Sequence, residues 1–555
     1  MDPIANPEPT RGPIPETELT ARWCAALLLL WIALTATSLG GAPLFDNDET
    51  TYAQAAVELV RGERHLLPTL YGQPFLEKPA TFYYVLGAAF TLLGRTAFAA
   101  RLPSALCTLA TALILLYAGR RLGRPQAGRI AALVFLTMVM PTLLAHAALL
   151  DAAVTCCMTG AILAFVLWRR DGRRADALLA ALAAGLGVSV KGPVGLVVPL
   201  AVLALDRLLA RDLGASVRRF PWPGALLAFL LGAAPWYVLV TATHGLAFLV
   251  RFILREHLTR LGEPLQGHGG GWYYYLLVLL PTTLPWLAWL PWWASQTLAQ
   301  WRQEDEASRL GRLSLVWAVT VVGLFSLSQT KLPHYIASSY PALALGIGLQ
   351  WDREPPRGVW RRRAAVLLLA TVLPVAEALV ALPFLFTPLT GLVRDPAAVA
   401  VLAHAGRPAL GITVAGGLLT VALIGLVRHM WVRRAGVLVS GILFGLLLQA
   451  TLLWTLAPLA GRLLQRPLLT LATAIQATPA TVPVYLLVNR PSVPFYSGRP
   501  VARLAPSEAL DRLGAGAEDY LLVGTAAQLP KLAPLQLTVV RRAGAYVLLR
   551  HAPPP

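Results

Sequence analysis

The stretch Asp46-Asn47-Asp48-Glu49, with Glu77-Lys78 farther along, interrupts a chain that is otherwise largely apolar. It places close carboxylates and a Glu-Lys pair directly after the first apolar segment and before the next one. Ionisable groups beside or within a membrane are costly and usually serve a function. We therefore expect this first loop to carry chemistry and the apolar segments around it to decide the fold.

The composition indicates a polytopic membrane protein. The 555 residues are 56% hydrophobic and 14% charged, whereas an average soluble domain is about 25% charged. Apolar runs of roughly 17–25 residues predict membrane helices. We expect thirteen such spans, at residues 23–40, 98–119, 130–147, 150–168, 175–190, 192–209, 224–243, 272–294, 313–328, 332–350, 363–386, 409–427 and 435–457.

Residues 79–93 are apolar but short, which predicts a helix that lies in the outer interface and does not cross. With the N-terminus inside and this segment outside, the arginine clusters of the loops all fall on one side, as the positive-inside rule requires. The formal net charge of +19 is then mostly a topology signal, and no nucleic-acid partner is expected.

Three regions follow from this pattern. Residues 1–22 form a cytoplasmic tail without the features of a cleaved signal, so the first helix is expected to stay as an anchor. Residues 23–457 form the membrane domain. In 458–555, apolar-rich alternating runs at 482–488, 520–524 and 535–549 predict strands, with a short helix at 508–513. We expect a small α/β domain on the periplasmic side.

Lysine is rare in this chain, and its positions are informative. Only four of the 47 basic residues are lysines, and three of these stand at expected outer helix ends, each followed within two residues by proline. These three are Lys78, Lys191 and Lys331. Snorkelling at the interface would be served equally well by arginine. A compact ammonium group directed at a phosphate explains the choice better.

Three acidic residues are candidates for catalysis. Asp48 and Glu49 could act on an acceptor group. Alternatively, Asp46, Asn47 and Asp48 could simply cap a helix that begins near Glu49. Asp151 stands alone between two apolar runs. Such an ionisable residue is a site candidate by default, with capping of the following helix as the alternative.

The long loop 244–271 adds His257 and Arg260, which share a face if this loop is helical. His257 together with Glu77 could bind a divalent cation such as Zn, Mg or Mn. A solvated histidine without a metal is the simpler interpretation. No nucleotide or organic cofactor is expected.

Taken in order, these residues resemble the GT-C superfamily of membrane glycosyltransferases. The motifs are Asp48-Glu49, Tyr52, Gly72, Glu77-Lys78-Pro79, Ala100-Arg101, Asp151, Lys191-Gly192, Glu256-His257 with Arg260, and Lys331-Leu332-Pro333 with Tyr335. The chain is similar to the lipid A aminoarabinose transferases and the protein O-mannosyltransferases of glycosyltransferase families 39 and 83. The likeness is most specific over about residues 1–350.

The resemblance implies an all-α membrane domain of the GT-C fold, with juxtamembrane helices in the first outer loop. It implies transfer of a sugar, such as 4-amino-4-deoxy-L-arabinose, from a polyprenyl-phosphate carrier to lipid A or another envelope acceptor. We expect a multi-pass monomer of the bacterial inner membrane, surrounded by membrane lipids, with its site on the periplasmic side.

The resemblance also implies roles for single residues. Asp48 is the principal catalytic carboxylate, with Glu49 beside it and Asp151 as the second acidic residue. The carrier phosphate is bound by a set of basic and tyrosine side chains, namely Lys78, Lys191, Arg260, Lys331 and Tyr335. A metal would bind at Glu77 and His257. We expect inversion at the sugar C1. No arginine directly precedes Tyr52, unlike in several relatives, which leaves the acceptor open.

Two alternatives remain from the sequence. A protein serine or threonine could be the acceptor, as in the O-mannosyltransferases. A lipid-linked sugar flippase or a transporter would also contain buried charges and interrupted helices. That class places its ionisable residues near mid-membrane in paired repeats, whereas here they stand at expected helix ends.

Overall fold

The described part of the protein is mostly helical and ends in a small mixed sheet. The structure is a computed structural model, and it describes residues 16–62, 67–75, 77–247, 250, 270–390, 409–432, 436–513 and 518–551. In its first half the helices are α1 (Glu16–Trp31), α2 (Asp48–Arg61), α3 (Thr81–Leu93), α4 (Ala97–Arg121), α5 (Pro125–Thr137), α6 (Val139–Ala145), α7 (Leu150–Asp171), α8 (Arg174–Lys191), α9 (Val194–Leu209), α10 (Leu213–Arg219) and α11 (Trp222–His244).

The second half continues the bundle. Its helices are α12 (Tyr274–Thr282), α13 (Leu290–Ala299), α14 (Glu306–Leu327), α15 (Tyr340–Arg353), α16 (Gly358–Thr390), α17 (Ala409–Val432), α18 (Val437–Thr451), α19 (Ala457–Gln476), α20 (Ser492–Ser497) and α21 (Pro506–Leu513). A π-helical stretch, Leu452–Leu456, joins α18 to α19. The apolar helix therefore continues past residue 457 as far as Gln476.

Seven helices of the described residues are long and apolar enough to cross a membrane, and the number rises to nine if two bent pairs each count as one span. The pair α5 and α6 bends by 66°, and the pair formed by α12 and the segment Trp286–Ala299 bends by 114°. The span expected at residues 332–350 is divided in the structure. It contains a 3-10 helix, Pro333–Ser339, followed by the 14-residue α15. A multi-pass membrane protein is therefore supported, and the count of thirteen stays a prediction.

The first loop contains two short helices that pack against each other. The helix expected at 79–93 is present as α3, and its 13 residues extend only about 20 Å at 1.5 Å per residue. A Cβ atom on Gly87 would lie 2.4 Å from a Val60 methyl group. The glycine therefore permits the close approach of α3 to α2.

The C-terminal segment forms a five-stranded sheet in the order β4-β3-β5-β7-β6. The strands are β3 (Val484–Leu486), β4 (Ala502–Arg503), β5 (Tyr520–Thr525), β6 (Thr538–Ala543) and β7 (Tyr546–His551). β3 pairs in parallel with β4 and β5, and β7 pairs antiparallel with β5 and β6. The sequence predicted strands at the positions of β3, β5, β6 and β7 and a helix near 508–513, and the structure contains them; β4 was not predicted.

The hairpin of the first loop is bound into both parts of the protein. Its strands are β1 (Thr69–Leu70) and β2 (Gln73–Pro74). Tyr71, at the turn, is buried in one hydrophobic cluster with Leu468 of α19 and Val484 of β3. The Glu58 carboxylate of α2 accepts hydrogen bonds from the Tyr71 and Gly72 backbone N–H groups, at 3.0 and 3.1 Å. The first loop is thus fixed between the helical bundle and the sheet domain.

Candidate active site

Asp48 and Glu49 occupy the first turn of α2, where the helix dipole favours negative charge. Their surroundings differ because successive helical residues point in different directions. Asp48 is exposed and makes no hydrogen bond or ion pair with the residues that the structure describes. Glu49 is 5% exposed. Of the two carboxylates, Asp48 is the one that is accessible to a substrate.

Glu49 forms a buried ion pair with Arg101 of α4. Arg101 donates from Nε and Nη2 to the two carboxylate oxygens, both at 2.8 Å. The Phe45 and Ala148 backbone N–H groups also donate to Glu49, each at 3.0 Å. All of these contacts connect parts of the protein to one another. They favour a positioning role for Glu49 over the direct catalytic role expected from the sequence.

Arg101 also contacts the chain that leads into the first loop. Its Nη1 donates to the carbonyl oxygens of Leu39 and Ala42, at 2.9 and 2.8 Å, and its Nη2 donates to that of Pro43, at 3.0 Å. A guanidinium group has five N–H donors in a fixed geometry. This side chain therefore fixes the end of the first helix, the start of α2 and, through Glu49, the turn before α7.

Asp151, in the first turn of α7, is the centre of a second polar cluster. Its Oδ1 accepts from Lys191 Nζ at 2.5 Å, and its Oδ2 lies 3.8 Å from His334 Nε2. Lys191, the last residue of α8, also lies over the ring of Tyr335, with Nζ 5.0 Å from the centroid. Three distant segments, α7, α8 and the 3-10 helix Pro333–Ser339, thus meet at one point.

The first loop contributes to the same region. Lys78 is 9% exposed and donates from Nζ to the Glu77 carbonyl at 3.0 Å. It interacts electrostatically with both Asp151 and His334, and Asp48 interacts with His334. One charged cluster therefore contains Asp48, Lys78, Asp151 and Lys191. We add Glu77 and call these five residues the acidic cluster.

Tyr52, one helical turn after Asp48, lies near the carboxylates of the acidic cluster. Removal from water, and then the nearby Tyr83, Glu77, Asp48 and Asp151, raise the pKa of the Tyr52 hydroxyl well above its ordinary value. It therefore remains protonated at neutral pH and can donate a hydrogen bond. Its ring centroid lies 5.8 Å from that of Tyr83 of α3, which orients it.

Lys331 and Tyr335 lie close to His334 in the sequence, and they make different contacts. Lys331 is 5% exposed and donates from Nζ to the Ser328 carbonyl. Tyr335 stacks edge-on with His334, with ring centroids 5.3 Å apart. The sequence identified Lys331 and Tyr335 but missed His334 between them. Its position next to two candidate phosphate ligands is the signal that could have revealed it.

A further set of contacts was not foreseen from the sequence: the sheet domain binds the first loop. Asp46 accepts hydrogen bonds from the Ser492 backbone N–H at 3.1 Å and from the Ser492 hydroxyl at 2.6 Å. The Arg490 guanidinium donates to Asn47 Oδ1 at 3.2 Å. The Tyr496 hydroxyl accepts from the Leu44 N–H at 2.7 Å. We call these four hydrogen bonds the loop clamp.

Burial raises the pKa of the Asp46 carboxyl above its usual value, although the hydrogen bonds from Ser492 and Thr50 and the charge of Arg490 oppose the rise. The carboxyl is therefore held in a setting that does not favour its charge. The hydrogen bonds of the loop clamp offset part of this unfavourable burial.

Two expected site residues, His257 and Arg260, lie outside the described residues. Within the described part of the chain, no group of three or more histidine, cysteine, aspartate or glutamate side chains could hold a metal ion. Glu77 is in place in the acidic cluster, but its expected metal partner is His257. A metal at this position therefore stays a prediction.

The chain matches a family model only in part. Residues 77–238 match the model described as dolichyl-phosphate-mannose-protein mannosyltransferase. This range contains Lys78, Asp151 and Lys191, but neither Asp48 nor the loop with His334.

Curated relatives are arabinosyl transferases. The undecaprenyl phosphate-alpha-4-amino-4-deoxy-L-arabinose arabinosyl transferase of Edwardsiella ictaluri is 32% identical over 325 residues, which is 58% of this chain and 57% of the relative. The protein of the same name from Serratia proteamaculans is 29% identical over 59% of each chain. The match thus spans a little under three fifths of these relatives.

A solved structure extends the likeness in fold to nearly the whole chain. ArnT from Cupriavidus metallidurans bound to undecaprenyl phosphate superposes with a TM-score of 0.80 at 23% identity, covering 97% of this chain and 100% of that one. The apo structure of ArnT from the same organism gives 0.78. The resemblance indicated by the sequence motifs is therefore confirmed, since the chain is similar in sequence to the aminoarabinose transferases and has the fold of ArnT.

Proposed function

We propose that this protein transfers a sugar from a polyprenyl-phosphate carrier to a lipid A-type acceptor at the outer face of the bacterial inner membrane. The observation that carries the proposal is the acidic cluster. An exposed carboxylate, Asp48, lies in one cluster with Lys78 and with the pair formed by Asp151 and Lys191. The names of the sequence relatives favour 4-amino-4-deoxy-L-arabinose as the sugar.

The reaction requires stabilisation of a phosphate as it leaves the sugar C1. Ammonium groups held in a water-poor site provide this, because they face the developing negative charge without reorganising. Lys78 and Lys191 are both largely buried, and Tyr335 lies directly against Lys191. We assign the carrier phosphate to Lys78, Lys191 and Tyr335, together with Lys331 and Arg260.

Asp48 acts on the acceptor. A hydroxyl acceptor needs a base to take its proton, whereas an acceptor phosphate is already anionic and needs orientation. A single in-line displacement then forms the new glycosidic bond as the bond from C1 to the carrier phosphate breaks, with inversion at C1. Asp151 acts indirectly, because it holds the ammonium group of Lys191 in place.

The charge balance of the site supports a further cation. Among the described residues, the acidic cluster combines the carboxylates of Asp48, Glu77 and Asp151 with the ammonium groups of Lys78 and Lys191. Lys331, assigned to the same phosphate, brings these charges into balance. A carrier phosphate would add more negative charge. Arg260, or a divalent cation bound by Glu77 and His257, would offset it. A bound cation would supply Lewis-acid stabilisation of the leaving phosphate.

The orientation follows from the arginine pattern. The loops at the ends of α4, α7 and α9 carry the arginine clusters, and we place them in the cytoplasm. Asp151 and Lys191 then lie on the periplasmic side, with the sheet domain that carries the loop clamp. We propose that thirteen spans cross the membrane and that α2 and α3 lie along its outer surface. We expect a monomer.

The test is mass spectrometry of lipid A and envelope glycans from strains with and without this protein. The proposal expects a mass difference equal to one sugar on the lipid. The match of residues 77–238 to a protein mannosyltransferase model favours a second candidate, transfer to serine or threonine. A sugar on envelope proteins with unmodified lipid A would establish that alternative, and an unchanged envelope would contradict both.

A further inference from the structure

A large cavity lies at the end of the bundle opposite the acidic cluster. Its volume is about 980 Å³, and it lies among the C-terminal ends of α7 and α9, the chain after α13 and the first turns of α14. Asp151 lies in the first turn of α7, and Arg169 and Arg170 lie in its last turn. Eighteen residues of helix separate Asp151 from Arg169, which is about 27 Å. The cavity is thus a separate site near the other membrane face.

Seven arginines and four carboxylates line this cavity. Four of the arginines form ion pairs there. Arg170 pairs with Glu306 at 3.1 Å and Arg309 pairs with Glu304 at 3.0 Å. The other two, Arg169 and Arg207, pair with Asp212 and Asp206. Each of the four carboxylates therefore has an arginine partner.

The remaining three arginines, Arg211, Arg302 and Arg312, form no ion pair with the residues that the structure describes. Arg211 and Arg302 are exposed. Arg312 is 6% exposed, and its Nη1 donates to the Trp301 carbonyl at 3.2 Å. Its Nε is buried without a hydrogen-bond partner in the described part of the protein. The cavity therefore has a surplus of positive charge and an unused buried donor.

Topology alone does not account for Arg312. The positive-inside rule needs cationic residues in loops, where water solvates them, whereas a buried guanidinium without a carboxylate partner is costly. Asp206 is 1% exposed, and although Arg207 pairs with its Oδ2, its Oδ1 has no hydrogen-bond partner among the described residues. Two side chains that each have a buried, unsatisfied polar atom thus line the same cavity.

We propose that this cavity binds a phosphate ester that carries a neighbouring hydroxyl or amino group. Guanidinium groups match the oxygens of a phosphate in geometry and charge, and those of Arg211, Arg302 and Arg312 line the cavity without a carboxylate partner among the described residues. The ligand's hydroxyl or ammonium group donates to Asp206 Oδ1. The volume fits a ligand of headgroup or metabolite size, and Phe165, Leu203 and Leu313 give the cavity an apolar wall.

Such a ligand has two sources, an anionic phospholipid headgroup or a soluble phosphate ester. The test uses the full-length protein in a neutral detergent and two probes, dioctanoyl phosphatidylglycerol and sn-glycerol 3-phosphate. Isothermal titration calorimetry measures the affinity of each. Binding of the lipid alone identifies a lipid site, and binding of both identifies a site for the phosphate ester itself.

Two variants test whether the probes bind in the cavity. Arg312→Gln and Arg302→Gln are each expected to weaken binding about tenfold or more, since each removes a charged hydrogen-bond donor. Arg302 is exposed at the cavity, so its replacement keeps the test valid if Arg312→Gln fails to fold.

Arg357→Gln is the matched control. Arg357 belongs to the same set of arginine-rich loops and pairs with Glu354 but does not line the cavity. It is expected to bind within about twofold of the unchanged protein. The proposal is overturned if neither probe binds the unchanged protein, or if Arg357→Gln weakens binding as much as Arg302→Gln does.

Discussion

Asp48 and Glu49 are neighbours in the sequence, but the helix places their carboxylates in different surroundings. Glu49 uses both oxygens in bonds to Arg101 and to two backbone N–H groups. Asp48 is an exposed member of the acidic cluster. One residue therefore holds the site together, and the other is free to act in it. The two roles predict different defects on mutation.

Asp48→Asn is expected to reduce transfer by about a hundredfold to ten thousandfold, the usual contribution of a general base, without changing the melting temperature. Glu49→Gln is expected to destabilise the protein by about 3–5 kcal/mol, because it leaves Arg101 buried with an incomplete partner. Transfer assays on purified protein and thermal unfolding in detergent measure the two effects.

The control for this pair is Asp511→Asn, which removes an exposed carboxylate in α21 and should change neither quantity. Full transfer activity in Asp48→Asn would remove Asp48 from the mechanism. An unchanged melting temperature in Glu49→Gln would show that the ion pair with Arg101 is dispensable.

At the scale of elements, the sheet domain contacts the loop that carries Asp48. Ser492, at the start of α20, binds Asp46 two residues before Asp48, and Tyr71 of the hairpin is buried in the sheet domain. The position of α2 therefore depends on a domain more than 400 residues away in the chain. We infer that the sheet domain serves to position the first loop.

Ser492→Ala tests this inference. It removes the hydroxyl donor to a buried carboxylate, a contact that contributes about 1.5–3 kcal/mol. We expect faster amide hydrogen exchange in residues 44–51 and about tenfold less transfer. Ser507→Ala, an exposed serine in α21 of the same domain, is the control. Unchanged exchange in residues 44–51 would contradict a role for the loop clamp.

The effect of Ser492→Ala on the docking of the first loop should depend on pH. Since burial raises the pKa of Asp46, the docked loop binds the proton more tightly than the free loop does. Docking is then strongest below the ordinary carboxyl pKa of about 4 and weakens as the pH rises through the raised value. The Ser492→Ala defect should accordingly be larger at neutral pH than at acidic pH.

At the scale of the whole molecule, the charged residues at helix ends could be predicted from the sequence. The helix bends and the contacts between distant segments became visible only in the structure. Asp48, Lys78, Asp151 and Lys191 were recognisable because charged residues at the ends of apolar helices stand out from their neighbours. The bends between α5 and α6 and after α12 were not, because apolar composition does not reveal a change of direction. The loop clamp was missed because its partners are distant in the sequence and ordinary in type.

The membrane topology is a property of the whole chain, and it depends on α3. A helix of 13 residues extends about 20 Å, less than the roughly 30 Å of the hydrocarbon core. If α3 does not cross, residue 124 and the arginines around it are cytoplasmic. A reporter enzyme that is active only in the periplasm should then be inactive when fused after residue 124. The same reporter should be active when fused after residue 480, in the sheet domain.

A second reporter that is active only in the cytoplasm provides the control, because it should give the reverse pattern at both fusion sites. Periplasmic activity after residue 124 would mean that α3 crosses the membrane. The arginine clusters after α4 and α7 would then lie outside, against the positive-inside rule, and the cavity lined by Arg312 would face the periplasm. The expected inactivity at residue 124 would instead place that cavity on the cytoplasmic side and the acidic cluster on the periplasmic side.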